Sequence, residues 1–405
     1  MDREYDLVLF GATSFVGQIT TRNLVSRCAD ENLSWAIAGR NAEKLESVAN
    51  ETGAYHVPRM VVDAADEGAV RNMVQSARLV ISTVGPYAQY GSMVVEACAQ
   101  TGTDYCDLSG EPHWMAAMIE ANHETAVASG ARIVNACGFD SIPSDMGAWF
   151  TQQAAQAVNK KPCNQIELIV KGMSGTASGG TIASMMNMME EVSDDPSLAK
   201  VLSNPMALVP KEQRPKTRQP SLTRVREHKE ENLWLAPFVM AATNVKIVHR
   251  SNALLDFAYG EDFRYSEEMA TGSGPLGMAK AGAVAGGFGG FAGLARFKPT
   301  RGLLAKVLPK PGDGPSPEQQ EKGFFNIILR GTDADGNVTR TKVTGDRDPG
   351  YGSTAKMLTE AAITLLRTSR STTGGGFWTP AAAMGGPLID NLEAHAGLTF
   401  EVLDS

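Results

Sequence analysis

The sequence predicts an α/β chain: an N-terminal, Rossmann-type doubly wound parallel sheet, then a second, α+β domain carrying an antiparallel sheet. Three observations predict it. Leu7 to Phe10 is continuously apolar and runs into glycines and a helical pattern, as a strand buried on both faces should. Strand and helix signals then alternate as far as Asp145, which specifies a largely parallel sheet. Near Ile166 the alternation stops and strand-like segments recur.

The first strand enters Gly11-Ala12-Thr13-Ser14-Phe15-Val16-Gly17. Gly11 suits a tight turn, and Gly17 lets the following helix pack closely. The free N–H groups of that helix, with its dipole, suit a pyrophosphate. Ser14 stands where the G-x-x-G-x-x-G form of the fingerprint has its middle glycine. It keeps a small side chain near the phosphate, with a hydroxyl able to donate to it.

The second strand, Ser34 to Ala38, ends at Gly39-Arg40. An NAD site usually places a carboxylate here for the ribose hydroxyls, whereas Arg40 can pair with a 2′-phosphate and Gly39 gives the phosphate access to the backbone. The expected cofactor is therefore NADP (NADPH), with NAD left open; the other reading of Arg40 is a solvated residue opening the next helix, Ala42 to Asn50. A third strand, His56 to Val62, ends at Asp63, which either touches the adenine or caps a helix. The fourth, Arg78 to Val84, leads into Gly85-Pro86-Tyr87, with Val84, Gly85 and Pro86 expected against the cofactor. A helix over Met93 to Gln100, a strand over Asp104 to Leu108, a helix over Trp114 to Ala128 and a strand over Arg132 to Cys137 complete the pattern. Gly11, Arg40, Gly85, Glu111 and Asp140 all fall just past strand ends, the edge where such sheets bind ligands.

Beyond Ile166 to Val170, a helix carries Met185, Met186, Met188 and Met189. Such a stripe is usually core, and it also suits a pocket for a flexible apolar ligand. Lys211 to Lys229 is basic and proline-containing and reads as a long loop. Strands are expected at Val245 to His249, Leu254 to Tyr259, Phe324 to Leu329 and Val338 to Val343. Between Glu268 and Asp313 there is no acidic residue. A glycine-rich apolar stretch, Gly282 to Leu294, precedes Arg296, Lys298, Arg301, Lys306 and Lys310. This is either a flexible insertion or a surface that meets an anionic membrane or carrier. Ser353 to Arg367 has a buried helical stripe, Gly374-Gly375-Gly376 breaks it, and Leu388 to Leu392 and Phe400 to Leu403 close the chain. The expected domains are 1–150, 151–345 with the insertion at about 270–312, and a helical segment, 346–405, packing back on the first domain.

With 43% hydrophobic and 20% charged residues the chain reads as globular, and its net charge of −8 argues against a nucleic-acid partner. The five cysteines, Cys28, Cys98, Cys106, Cys137 and Cys163, lack paired metal spacing and read as reduced core residues; no metal is expected. Met1 to Glu4 enters a strand directly, so no signal peptide is expected, and no run has the uncharged length of a spanning helix. The expected location is cytoplasmic, with peripheral membrane contact and a homodimer both left open.

Several motifs together resemble the saccharopine dehydrogenase-like oxidoreductases: the Gly11–Gly17 turn, Ala38-Gly39-Arg40, Thr83-Val84-Gly85-Pro86-Tyr87, Tyr105-Cys106-Asp107-Leu108-Ser109-Gly110-Glu111 and Cys137-Gly138-Phe139-Asp140-Ser141-Ile142-Pro143-Ser144-Asp145. Arg250 to Leu255, Tyr259-Gly260, Asp348-Pro349-Gly350-Tyr351 and Thr379-Pro380-Ala381 are similar to the actinobacterial branch called trans-acting enoyl reductases. The sequence departs at Ser14, where the family commonly has glycine. The resemblance implies NAD(P) binding and reduction of a carbon–carbon double bond on an acyl or polyketide-derived lipid chain, with carrier binding left open. Such a reaction needs a hydride, a donor to the thioester oxygen and a proton. Tyr87, Asp140 and Ser141 are the candidate catalytic residues, with Glu111, His113 and Asp145 nearby; packing or capping is the other reading of Tyr87, Ser144 and Asp145. His249 reads as structural. The alternative function is a nucleotide-binding, lipid-associated protein without catalysis.

Overall fold

The computed structural model describes residues 3–175, 179–295, 298–307 and 314–404. It has two seven-stranded sheets. The first is built from β1 (Tyr5–Phe10), β2 (Trp35–Gly39), β3 (Arg59–Val61), β4 (Ala77–Ser82), β5 (Asp104–Asp107) and β6 (Arg132–Val134). Their order, β6-β5-β4-β1-β2-β3, with every pairing parallel, is that of a doubly wound dinucleotide-binding sheet. Leu7, Val8 and Leu9 are fully buried, which explains why β1 reads as an unbroken apolar run. β3 is shorter than the expected strand, because residues 54–57 form a turn closed by Val57 N donating to Ala54 O.

The second sheet contains β7 (Gln165–Ser174), β8 (Arg226–His228), β9 (Leu233–Pro237), β10 (Arg264–Gly272), β11 (Phe324–Thr332) and β12 (Val338–Gly345). The last two strands of the chain, β13 (Gly376–Trp378) and β14 (Leu398–Leu403), divide between the sheets. β13 extends the first beside β6, and the second runs β14-β12-β11-β7-β10-β9-β8. This sheet is mixed rather than purely antiparallel: β7 and β10 pair in parallel, and its other pairings are antiparallel. In β11 and β12 buried residues alternate with partly exposed ones, the mark of a sheet with one covered face.

The strands expected at Val245–His249 and Leu254–Tyr259 are absent. One helix, Ala241–Leu254, and a turn replace them. The β-branched run Val245, Ile247 and Val248 suggested a strand, but this helix is buried on nearly every side, so burial overrides local propensity. Its polar residues find partners inside: Lys246 Nζ donates to Leu202 O at 2.8 Å, and Arg250 donates to Phe377 O at 2.8 Å. Asn252 closes the following turn by accepting from Tyr259 N and donating to Gly260 O.

The glycine-rich stretch is a helix, Gly274–Ala295, lying on β9 and β10. Its outward side exposes Leu276, Met278 and Leu294, and no described helix is long and apolar enough to cross a membrane. Of the cations expected to follow it, Arg296 and Lys310 lie outside the described residues, and Arg301 is buried, 3.8 Å from Glu190. The helix Thr354–Arg367 packs on the first helix, Phe15–Asp30, through a buried ion pair between Arg27 and Glu360 at 2.8 Å. All five cysteines are free and buried.

Candidate functional site

The turn after β1 is fixed by contacts that leave no room for side chains. Gly11 has φ +92°, and a Cβ there would lie 2.7 Å from Thr83 Oγ1. A Cβ on Gly17 would lie 2.2 Å from Gly11 O. Ser14 caps the helix, its Oγ accepting from Gly17 N at 3.0 Å and lying 3.1 Å from Thr83 Oγ1. That cap is an alternative to a phosphate role for the hydroxyl, and it explains why serine is tolerated in place of glycine. The N–H groups of Phe15 and Val16 have no hydrogen-bond partner among the described residues. These are the orphan donors that a helix N-terminus offers to an anion. Phe15 is held edge-on by Tyr351, with ring centroids 4.6 Å apart, so the Asp348–Tyr351 segment borders the turn.

At the end of β2, Gly39 is buried, and a Cβ there would come within 3.5 Å of Thr13 Oγ1. Arg40 is exposed and has no hydrogen-bond or ion-pair partner among the described residues. The next helix is capped by Asn41, whose Oδ1 accepts from Lys44 N at 2.8 Å, so Arg40 is not required to open it. Asp63 is exposed beyond β3, where its Oδ1 accepts from Ala65 N at 2.9 Å; this is a local turn contact.

Past β4, the Val84-Gly85-Pro86 segment leads to Tyr87, whose ring is buried. Its hydroxyl donates to Ser82 O at 3.0 Å and accepts from Leu108 N at 3.1 Å. Burial and the nearby Asp107 push its pKa well above the ordinary tyrosine value. Tyr87 therefore ties β4 to the loop after β5, and its proton is poorly placed for transfer. Glu111 is also buried and accepts from Tyr87 N at 2.9 Å, Ala88 N at 2.9 Å and Ser184 Oγ at 2.7 Å.

Ser184 lies on the methionine-rich helix, Gly179–Asp194, which the sequence reading did not credit with polar work. Its neighbours Asn187 and Glu191 bond to Gln89 at 2.5 Å and to His113 Nε2 at 2.6 Å. Residues 184, 187 and 191 share one helical face, so this helix is fastened across the loops after β4 and β5. Three polar residues at that spacing among methionines were the available signal. Asp107 was also missed. It is fully buried and accepts from Ser109 N and Oγ, Asn135 Nδ2 and Ala136 N at 2.7–2.9 Å, ordering the loops after β5 and β6.

Asp140 is half-buried beyond β6, beside Gly110 and Met240. No hydrogen bond or ion pair engages its carboxyl among the described residues, and burial pushes its pKa up to about 6. Its neighbours belong to a different network. Ser141 Oγ donates to Asn244 Oδ1 at 2.8 Å, and Asn244 Nδ2 donates to Ser144 Oγ and Glu267 Oε2, each at 3.0 Å. Asp145 accepts from Ser251 Oγ and from Ala381 N at 2.8 Å. Burial raises both Asp145 and Glu267 to about 7. His249 is buried on the helix Ala241–Leu254 and pushed down to about 3 by desolvation. Among the described residues no group of three or more His, Cys, Asp or Glu could hold a metal.

Residues 7–134 match the saccharopine dehydrogenase NADP-binding domain. The chain is 37% identical over 405 residues to a trans-acting enoyl reductase of Mycobacterium ulcerans, covering 96% of each. It is 36% identical over 404 residues to a trans-acting enoyl reductase of Mycobacterium tuberculosis, again covering 96% of each. Among solved structures, its fold is similar to that of apo saccharopine dehydrogenase (L-Glu forming) from Saccharomyces cerevisiae. That match has a TM-score of 0.55 at 12% identity and covers 99% of this chain and 100% of the other.

Proposed function

Because the chain belongs to the trans-acting enoyl reductase family and is an NADP-dependent oxidoreductase of the saccharopine dehydrogenase-like type, we propose that it reduces the carbon–carbon double bond of an α,β-unsaturated acyl chain. The observation that carries this reading is the row of unengaged groups along one sheet edge. It comprises the N–H groups of Phe15 and Val16, the Arg40 guanidinium and the half-buried carboxyl of Asp140, none of which has a partner among the described residues.

NADPH, when bound, supplies the hydride. The Gly11-Ala12-Thr13-Ser14-Phe15-Val16-Gly17 turn would hold its diphosphate at the helix N-terminus, and Gly39 with Arg40 would receive the 2′-phosphate. Asp63 would border the adenine end, and Val84-Gly85-Pro86 would lie toward the nicotinamide. Hydride addition at the β-carbon moves the double-bond electrons toward the thioester oxygen as an enolate. Asp140 then delivers a proton to the α-carbon, and solvent reprotonates its carboxylate. Burial suits Asp140 to this role, because a carboxyl near 6 still holds a proton in a fraction of molecules at neutral pH. Tyr87 and Ser141, engaged by Ser82, Leu108 and Asn244, position the loops around the cleft rather than exchange protons.

The acyl chain is read as long and apolar. The half-buried methionines of the helix Gly179–Asp194 beside the cleft support this. The outward face of the helix Gly274–Ala295, with Leu276, Met278 and Leu294 exposed, supports contact with a lipid surface or a carrier. The test is NADPH oxidation measured with trans-2-enoyl thioesters of increasing chain length. Turnover that improves with length is expected. Absence of turnover with every enoyl thioester, by a protein that binds NADPH, contradicts the proposal.

A further inference from the structure

Most arginines of this protein are internally engaged. Those lining a cavity of about 660 Å³ at the amino ends of the first sheet's strands are an example. There Arg3 donates to Gln75 O and Thr101 O, Arg370 to Gly130 O, and Arg132 to Thr368 O and Asp104. Most of these carbonyls close helices, so the cluster serves the chain itself. The described arginines whose side chains have no hydrogen-bond or ion-pair partner among the described residues are Arg22, Arg40, Arg218, Arg224 and Arg264. Three of them, Arg218, Arg224 and Arg264, line one cavity of about 580 Å³ with Gln165, Gln219 and Ser221.

The loop that carries two of these arginines is fastened down. Thr217 Oγ1 donates to Glu261 O at 3.1 Å, Gln219 Nε2 donates to Phe263 O at 3.0 Å, and Gln219 Oε1 accepts from Tyr265 N at 3.2 Å. Farther along, Arg226 pairs with Glu268 and Glu167. These anchors hold Arg218 and Arg224 beside Arg264, the first residue of β10. Glu261 and Asp262 are the adjacent acids, and Asp262 faces Asn164 at 3.4 Å. Residues 211–229 contain seven basic and two acidic side chains in a chain whose net charge is −8.

We propose that this arginine-lined cavity, with its basic loop, is a docking site for an acidic segment of a partner protein. The volume corresponds to roughly twenty waters at about 30 Å³ each, room for several carboxylates rather than one small anion. The open lining also includes Pro220 and the apolar stems of the arginines, and its guanidinium, amide and hydroxyl groups fit carboxylate side chains. It lacks the exposed apolar residues that insert into a bilayer and the aromatic platforms that stack bases. The acidic remainder of the protein repels an acidic partner elsewhere, so the patch also orients the encounter. The cavity lies at Gln165, the start of β7. Nine residues on, β7 ends at Ser174, and the next residue, Gly175, lies against the Asp348 turn that borders the cofactor site. At about 3.3 Å per residue the separation is about 30 Å, so a partner docked here leaves the cleft open. The inference stands whether or not the protein reduces enoyl chains.

The test is fluorescence anisotropy with a labelled oligoglutamate peptide at low ionic strength. It uses the full-length protein, an R218Q/R224Q/R264Q variant and an Arg22→Gln control. None of the four residues touches the cofactor site, so NADPH affinity and thermal melting report that each variant is folded. Expected is peptide binding that weakens with added salt, falls at least tenfold in the triple variant and is unchanged in the control. Inorganic pyrophosphate and anionic phosphatidylglycerol vesicles serve as comparison probes and are expected to bind less tightly than the peptide. Equal peptide binding by the protein and its triple variant, or no binding at all, overturns the proposal. So does tighter binding of pyrophosphate or vesicles that is lost in the triple variant.

Discussion

Replacing Arg40 with alanine is expected to weaken NADPH and leave NADH untouched. The guanidinium stands at the end of β2, exposed and without a partner among the described residues, so its removal orphans none of their groups. Hydrogen bonds to charged groups contribute about 1.5–3 kcal/mol. Because Arg40 is exposed, solvent screening places the loss at the lower end. At 1.4 kcal/mol per factor of ten, about 1.5 kcal/mol corresponds to a Kd roughly tenfold weaker. Added salt should shrink the difference, since the pair is open to screening. Calorimetric titration of both cofactors into both proteins measures it. Equal affinity of the unmodified protein for NADPH and NADH, or an equal loss for both in the variant, would refute the reasoning.

Gly17→Val should abolish binding of both cofactors, because the first side-chain carbon already meets Gly11 O at 2.2 Å; micromolar binding by this variant in the same titration would show the turn is misassigned. Ser14→Gly should be tolerated, since glycine in place of a serine cap costs only a few tenths of a kcal/mol. Asp140→Asn should lower kcat by about 10²–10⁴ with unchanged NADPH affinity. In the unmodified protein kcat should fall as pH rises through about 6, where Asp140 loses its proton, and an asparagine variant that keeps this profile would exclude Asp140 as donor. Glu267 and Asp145, held near 7 by burial against 4.5 and 3.8 in model compounds, bind protons more tightly folded than unfolded. Their folded-state pKa values are raised, so stability should fall as pH rises from about 4 to 7 and then level off. Glu267→Gln should flatten that slope in thermal melts across the window, and parallel slopes would count against the assignment.

The nucleotide half of the fold was legible because its signals are local. A buried parallel strand reads as an apolar run, and the Gly11–Gly17 turn announces its close contacts through missing side chains. The second half was less legible because long-range packing decides it. Val245 to Val248 has strand-like residues, yet burial on nearly every side makes a helix there, with Lys246 and Arg250 satisfied by distant carbonyls. The parallel pairing of β7 with β10 could not be read from periodicity, which is the same in parallel and antiparallel half-buried strands. At the site, Tyr87 and Asp140 looked alike as residues past strand ends. Only the partners separate them: Ser82 and Leu108 engage the phenol, while burial without a partner among the described residues sets Asp140 apart.

The central claim, hydride transfer from NADPH to an enoyl β-carbon, is tested most directly by isotope tracing. The protein is incubated with NADPH deuterated at the transferring position and a trans-2-enoyl thioester, and the product is analysed by mass spectrometry and NMR. The account predicts a saturated acyl chain carrying one deuterium at the β-carbon, with the α-hydrogen drawn from solvent. Deuterium at a carbonyl-derived carbon, or an unreduced double bond with cofactor bound, would contradict it.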